Sequence, residues 1–330
     1  MESKSPRLGH IIAIATVLCW GGTFINTKVL LLGGLQPQEI FVIRFFLAYI
    51  SIWFISPHKL MCDNWKDEAL MILLGISGGS MYFLSENMAV GITYVNNVAF
   101  IVCTAPLITT CIAIAMVKSV KASPRLIIGS LTALMGVGVV IFNGHFVLHL
   151  NPLGDILALT AAFCWAIYSI LMKRASSRYG SIFITRKVFF YGLVTILPVF
   201  IFKPWNFPLS GLARPEIWMN LLFLGFVASF VCFMLWSWAI GQIGAMKTSN
   251  YVYLNPITTV IVSALFLNEP MTTMAYIGSA LILAGVYIAN KAKEYKHDWD
   301  YSHADPNRHP PITSKCSSLR NNAAPLHSSA

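Results

Sequence analysis

Charged side chains are scarce in this sequence, and three of them stand where a charge is costly. Glu86 in MYFLSENMAV, Arg44 in FVIRFFLA and Lys28 in FINTKVL each fall inside or at the edge of a long apolar run. A carboxyl in such a run has two chemistries open to it. It can take up and release a proton, its acidity tuned by burial against a neighbouring cation, or it can bind an organic amine. Glu86 and Arg44 each lie about six positions from the same end of their runs, or roughly 9 Å at 1.5 Å per residue. They can meet at one depth, and Lys28 ends nearby. Two readings stand open: a purely structural Glu86–Arg44 pair, and a coupling site of Glu86, Arg44 and Lys28.

Aromatic and polar residues supply candidates for the walls of a substrate site. Trp20 and Trp165 sit near the middle of apolar runs, whereas membrane tryptophans usually gather at the interface. Phe24 and Lys28 follow Trp20 at spacings of four and eight on one helical stripe, and Tyr168 accompanies Trp165. Tyr82 is grouped with Glu86, and Tyr251 with Asn255 four residues on. Helix packing and an aromatic wall for an organic molecule both explain the two tryptophans. Pro106 and Pro256 fall in mid-run, where proline removes a backbone hydrogen bond and kinks a helix. A membrane-embedded enzyme is the less favoured reading. All eight histidines fall at or outside the run ends, and no Ser/His/Asp set, metal cluster or phosphate loop is positioned to act. No cofactor or metal is expected.

These residues must be carried by membrane-spanning helices. The 330-residue chain is 56% hydrophobic and 11% charged, with a mean hydropathy of +0.67, well below the charge of a soluble domain. At about 20 residues per crossing, ten spans are predicted: roughly 10–32, 38–56, 69–92, 95–117, 125–143, 153–173, 182–202, 216–241, 246–267 and 272–291. Lys and Arg concentrate in alternate loops and in the tail, which puts both termini in the cytoplasm of a plasma (inner) membrane protein. The formal net charge of +10 is thereby explained without nucleic acid. The first run lacks a small-residue cleavage site and reads as a retained helix. Residues 292–330, rich in Pro, Ser and Asn, read as a disordered cytoplasmic tail.

The spans repeat. LCWGGTFINTK (18–28) and FCWAIYSILMK (163–173) share Cys-Trp and a lysine eight residues after the tryptophan. MAVGITYVNNVAFIVCTAPLITT (88–110) parallels WAIGQIGAMKTSNYVYLNPITTV (238–260), aligning Pro106 with Pro256 and Glu86 with Trp236. IGSLTALMGVGVVI (128–141) parallels IGSALILAGVYIAN (277–290), with Gly129/Gly278 and Gly136/Gly285 in register. The chain divides into a five-helix repeat over 1–143, a connecting loop over 144–152 and a second repeat over 153–291. Five is odd, so the second repeat enters the bilayer from the opposite side. That is the inverted-topology construction of many secondary transporters, with a site between the halves near the midplane. The fold class is all-α and polytopic.

WGGTFINTK (20–28), RFFLA (44–48), GDILALTAAFCWAIYSILMKR (154–174) and YLNPITTVIVSALFLNEPMT (253–272) resemble the EamA family of the drug/metabolite transporter superfamily. The resemblance covers about 10–291. It departs at KSVKAS, which stands where the second half has NEPMTT, so no symmetric role follows for Glu269. It implies ten helices in two inverted repeats and the export or exchange of small metabolites, amino acids among them, by alternating access. Substrate, direction, coupling ion and oligomeric state do not follow from it. A passive channel or facilitator and a membrane sensor remain the alternatives, since neither needs a coupling group. In sealed cells, a membrane-impermeant thiol reagent should spare Cys62 and Cys316 and label them only after permeabilisation. Labelling of Cys316 in sealed cells would reverse the orientation. Deleting the chain after about residue 295 should leave insertion and transport intact, as measured by membrane fractionation and uptake.

Overall fold

The computed structural model describes residues 5–56, 59–116, 123–142, 151–258, 261 and 272–291. The expected tail, Glu269, most of the connecting loop and the end of the ninth span lie outside these residues. Among them the chain is helical, without strands. Among the described residues, eight helical stretches are long and apolar enough to cross a membrane: Pro6–Leu32, Trp65–Ile92, Asn97–Met116, Pro124–Ile141, Pro152–Ala175, Ser181–Phe202, Pro215–Ile243 and Thr273–Asn290. The predicted second span is the 17-residue helix Pro37–Trp53, capped by a reciprocal Gln36–Glu39 box. The ninth begins as a short helix, Ala245–Ser249, and a 3₁₀ turn, Asn250–Leu254.

Several spans are interrupted at mid-length. The first is two helices, Pro6–Trp20 and Thr23–Leu32, split at Gly21-Gly22. The fourth splits between Val95–Val102 and Ala105–Met116. Pro106 therefore sits in the first turn of a new helix, where its missing N–H costs nothing, and the expected kink of a continuous helix is instead a break. Pro256 stands likewise in the helical residues 255–258 that follow the 3₁₀ turn. The third and eighth spans each carry a π-helical stretch, Ile76–Ser80 and Phe223–Val231, between two α-helical arms. Gly79 leaves helical geometry altogether, at φ −122° and ψ −105°. The sixth span, Pro152–Ala175, is continuous.

The fifth and tenth spans pack along a seam of glycines. A Cβ at Gly285 would lie 2.4 Å from the Ala133 amide nitrogen and 2.6 Å from the Gly129 carbonyl oxygen. Backbones can approach this closely only where no side chain intervenes. Gly136 likewise meets Gly278, so the four glycines pair across the two halves crosswise, Gly129 with Gly285 and Gly136 with Gly278, none with its own repeat mate.

At the end assigned to the cytoplasm, basic and acidic side chains pair with one another. Lys187 donates to the Glu68 carboxylate, as does the Tyr191 hydroxyl, and Lys187 and Glu68 are each 4% exposed. Asp67 accepts from Arg178 at 2.8 Å and from Tyr179 at 2.9 Å. The neighbouring Cys62 thiol, desolvated and beside the Glu68 carboxylate, is pushed up to about 12. Its thiolate is therefore scarce at neutral pH, and it should label at least about tenfold more slowly than Cys316. Replacing Gly285 with Leu should cost about 1–3 kcal/mol or abolish folding, read as a lowered melting temperature or lost monodispersity in detergent. An unchanged melting temperature would show that the seam tolerates side chains.

Candidate functional site

The helix breaks surround a cavity holding about 460 Å³ of empty space, its open mouth included. It is lined by Trp20, Thr23, Phe24, Arg44, Tyr82, Phe83, Glu86, Val102, Trp165, Phe233, Val252 and Asn255. The first, fourth and ninth spans contribute at or beside their breaks. A Cβ on Gly21 would fall 2.5 Å from the Thr258 Cβ, so the glycine lets the first break press against the ninth span. The Thr23 hydroxyl takes the Trp20 carbonyl at 2.8 Å, and the Thr104 hydroxyl takes that of Ile101 at 2.6 Å. Each break is thus closed by a local hydroxyl.

Trp20 and Trp165 meet edge to face, with ring centroids 5.3 Å apart. Trp236 joins them at 5.1 Å from Trp20 and 6.0 Å from Trp165. Phe233 lies 5.9 Å from both Trp20 and Trp165. The Trp20 indole N–H donates to the Ala228 carbonyl at 2.9 Å. Those of Trp165 and Trp236 are buried without a hydrogen-bond partner among the described residues. Tyr168 is fully buried against Trp165 and shares a hydrogen bond with Ser237 at 3.2 Å, outside the lining set.

Arg44 and Glu86 both line the cavity and are 2% and 8% exposed. They do not form the direct ion pair that their common depth allows. Tyr82, one turn before Glu86, donates its hydroxyl to the carboxylate at 2.6 Å. The Arg44 Nε donates to the Ser229 hydroxyl at 2.9 Å, and the guanidinium lies over the Phe83 ring at 4.2 Å. Each charge is held by neutral groups, and the two face a shared space.

Two further candidates, besides Tyr168, stand outside the lining. Lys28 leaves the cavity wall and donates to the Val90 carbonyl at 2.8 Å, two residues before the end of the helix Met81–Ile92. Lys173, its repeat mate, does the same to Gly241 at 2.9 Å, two residues before the end of Cys232–Ile243. A cation there satisfies a terminal carbonyl and complements the helix dipole. Tyr251 turns from its expected neighbour Asn255 to His10, with its hydroxyl 2.7 Å from Nδ1, while Asn255 lines the cavity. Ser229 and Phe233 were not singled out in the sequence. Ser229 lies in the π-helical stretch and Phe233 two residues beyond it, and hydrophobic periodicity does not reveal such a stretch.

The sequence model of the EamA-like transporter family matches residues 7–142 and again 152–291. An uncharacterized transporter of Archaeoglobus fulgidus is 25% identical over 300 residues, 90% of this chain and all of that protein. A probable amino-acid metabolite efflux pump of Escherichia coli is 25% identical over 292 residues, 86% of this chain and 94% of its own. A protein crystal structure superposes with a TM-score of 0.68 at 17% identity, covering 86% of this chain and 97% of that one, and supports the fold alone.

Replacing Trp20 or Trp165 with Ala should raise the KM of transport roughly tenfold through lost ring contact, while expression stays near that of the unaltered chain. If both variants misfold and their folded remainder keeps its affinity, the tryptophans serve packing only.

Proposed function

The chain belongs to the EamA-like transporter family, and from that premise we propose that it is a secondary-active carrier of small organic metabolites, amino acids included. On this reading it exports or exchanges its cargo by alternating access between two inverted five-helix repeats in the plasma membrane, with both termini cytoplasmic. One observation carries the proposal. A buried carboxyl and a buried guanidinium face a single aromatic-walled cavity without a direct ion pair between them. An α-amino acid brings a carboxylate and an ammonium on adjacent atoms, the complement of Arg44 and Glu86, with the rings left to receive its apolar part. The Escherichia coli relative, a probable amino-acid metabolite efflux pump, supports the same class.

Glu86 is also the proposed proton-coupling group. Its carboxyl can bind either a proton or an ammonium, so each turnover can exchange one for the other. Lys28 is spared that role, because its ammonium is engaged at the end of a helix. Family and relatives are named as transporters rather than enzymes, and no catalytic step is proposed.

The test is purified protein in liposomes, screened across amino acids and small metabolites with and without a pH gradient. Uptake against a gradient, driven by counterflow, separates a carrier from a channel or a sensor. Glu86→Gln should still exchange cargo, with weakened affinity for the ammonium, yet lose accumulation driven by the pH gradient, and Arg44→Gln should lose affinity for cargo bearing a carboxylate. Gradient-driven accumulation undiminished in Glu86→Gln would end the coupling role.

A further inference from the structure

The second repeat enters the cavity through an unusual piece of backbone. The eighth span is π-helical over Phe223–Val231, between the helices Pro215–Leu222 and Cys232–Ile243. A π turn spaces residues differently around the helix axis, so it changes which groups face inward, and such turns concentrate at functional sites. Here two consecutive residues of the stretch reach across to the first repeat. The Ala228 carbonyl accepts the indole N–H of Trp20 at 2.9 Å, and the Ser229 hydroxyl accepts the Nε–H of Arg44 at 2.9 Å.

Ser229 is fully buried, and its bond to Arg44 is the one hydrogen bond of that guanidinium among the described residues. A guanidinium carries five N–H donors in a planar fork. Ser229 takes the Nε donor and the Phe83 ring covers one face at 4.2 Å, which leaves the Nη donors to the cavity that Arg44 lines. A guanidinium fixed at Nε and on one face presents a preset two-pronged surface to a carboxylate.

We propose that Ser229 is a positioning residue, which acts through Arg44 to orient the site for the carboxylate of the cargo, with the π-helical stretch as the device that delivers it. This rests on the reading of the cavity as the cargo site. It assigns the second repeat a part in recognition although neither charged group comes from that repeat.

The test uses the full chain in liposomes and L-leucine counterflow. The competitors are 3-methylbutylamine, which lacks the carboxylate, and 4-methylpentanoate, which lacks the ammonium. Ser229→Ala should raise the KM for leucine about tenfold, the scale of one hydrogen bond to a charged group. It should weaken inhibition by 4-methylpentanoate to the same degree and leave inhibition by 3-methylbutylamine unchanged. Ser229→Thr keeps the hydroxyl and should restore the original profile. A role in packing alone would move both competitors together, so equal weakening of the two, or no change in either, overturns the proposal. Vesicles of the unaltered chain that take up neither leucine nor either analogue overturn the cavity reading and this proposal with it. Should Ser229→Ala fail to run as a monodisperse species, Ser229→Cys, nearly the same size with a weak acceptor, takes its place under the same criteria.

Discussion

Inside hydrocarbon, a backbone amide or carbonyl without a partner costs several kcal/mol. This chain nevertheless interrupts its spans at mid-depth, and most of its unusual side-chain contacts follow from that. Where the first span stops at Trp20, a threonine hydroxyl takes the freed carbonyl. Where the eighth span loosens into a π-helix, an indole N–H takes the Ala228 carbonyl. Where the third and eighth spans end, Lys28 and Lys173 take carbonyls in their last turns. The cavity exists because the helices break, and the breaks are tolerable because these donors stand beside them.

The duplicated Cys-Trp and lysine motif becomes intelligible in these terms. In both halves the tryptophan joins one aromatic cluster while the lysine, eight residues on, closes the end of a helix two spans later. The duplication therefore preserves a backbone solution. Where the halves diverge, chemistry enters: Glu86 lines the cavity, whereas its repeat partner Trp236 is fully buried and packs on Trp20 and Trp165. Arg44 likewise comes from the first half and is held by Ser229 of the second. A symmetric scaffold thus carries an asymmetric set of charges.

Apolar run length made most of the spans legible, because bilayer thickness leaves a direct mark on composition, and repeat matching singled out the glycines that the structure sets in a close helix contact. The cavity was partly legible too. Intramembrane charge singled out Glu86 and Arg44, and mid-span aromatic placement singled out Trp20 and Trp165. Three things were not. Hydropathy cannot distinguish a π-helix from an α-helix, so Ser229 and Phe233 passed as span filler. The place of Lys28 was not legible because a lysine stem of that length serves a cavity or a helix end equally well, and the structure sets its ammonium on the Val90 carbonyl. Lys187 falls inside the predicted span 182–202 without a named partner, because run-length counting takes no account of Glu68 across the fold.

The separation of Arg44 from Glu86 has an energetic logic. Each charge costs about 2.5–3.5 kcal/mol at the centre of a bilayer-spanning helix, and two opposite charges 4 Å apart at an effective dielectric of about 20 regain about 4 kcal/mol. A direct pair would therefore be the cheaper arrangement, and it would also be the strongest competitor for any charged cargo. Breaking a buried pair costs about 3–5 kcal/mol, comparable to the whole binding energy of a millimolar ligand. Holding Arg44 on a serine and a phenylalanine, and Glu86 on a tyrosine, forgoes that stability. On the proposed reading, a zwitterion then supplies the missing Coulomb energy by binding, and a cargo with neither charge gains nothing from the site. The same arrangement lets a proton on Glu86 replace an ammonium at similar electrostatic cost, so cargo selection and proton exchange draw on one unsatisfied pair.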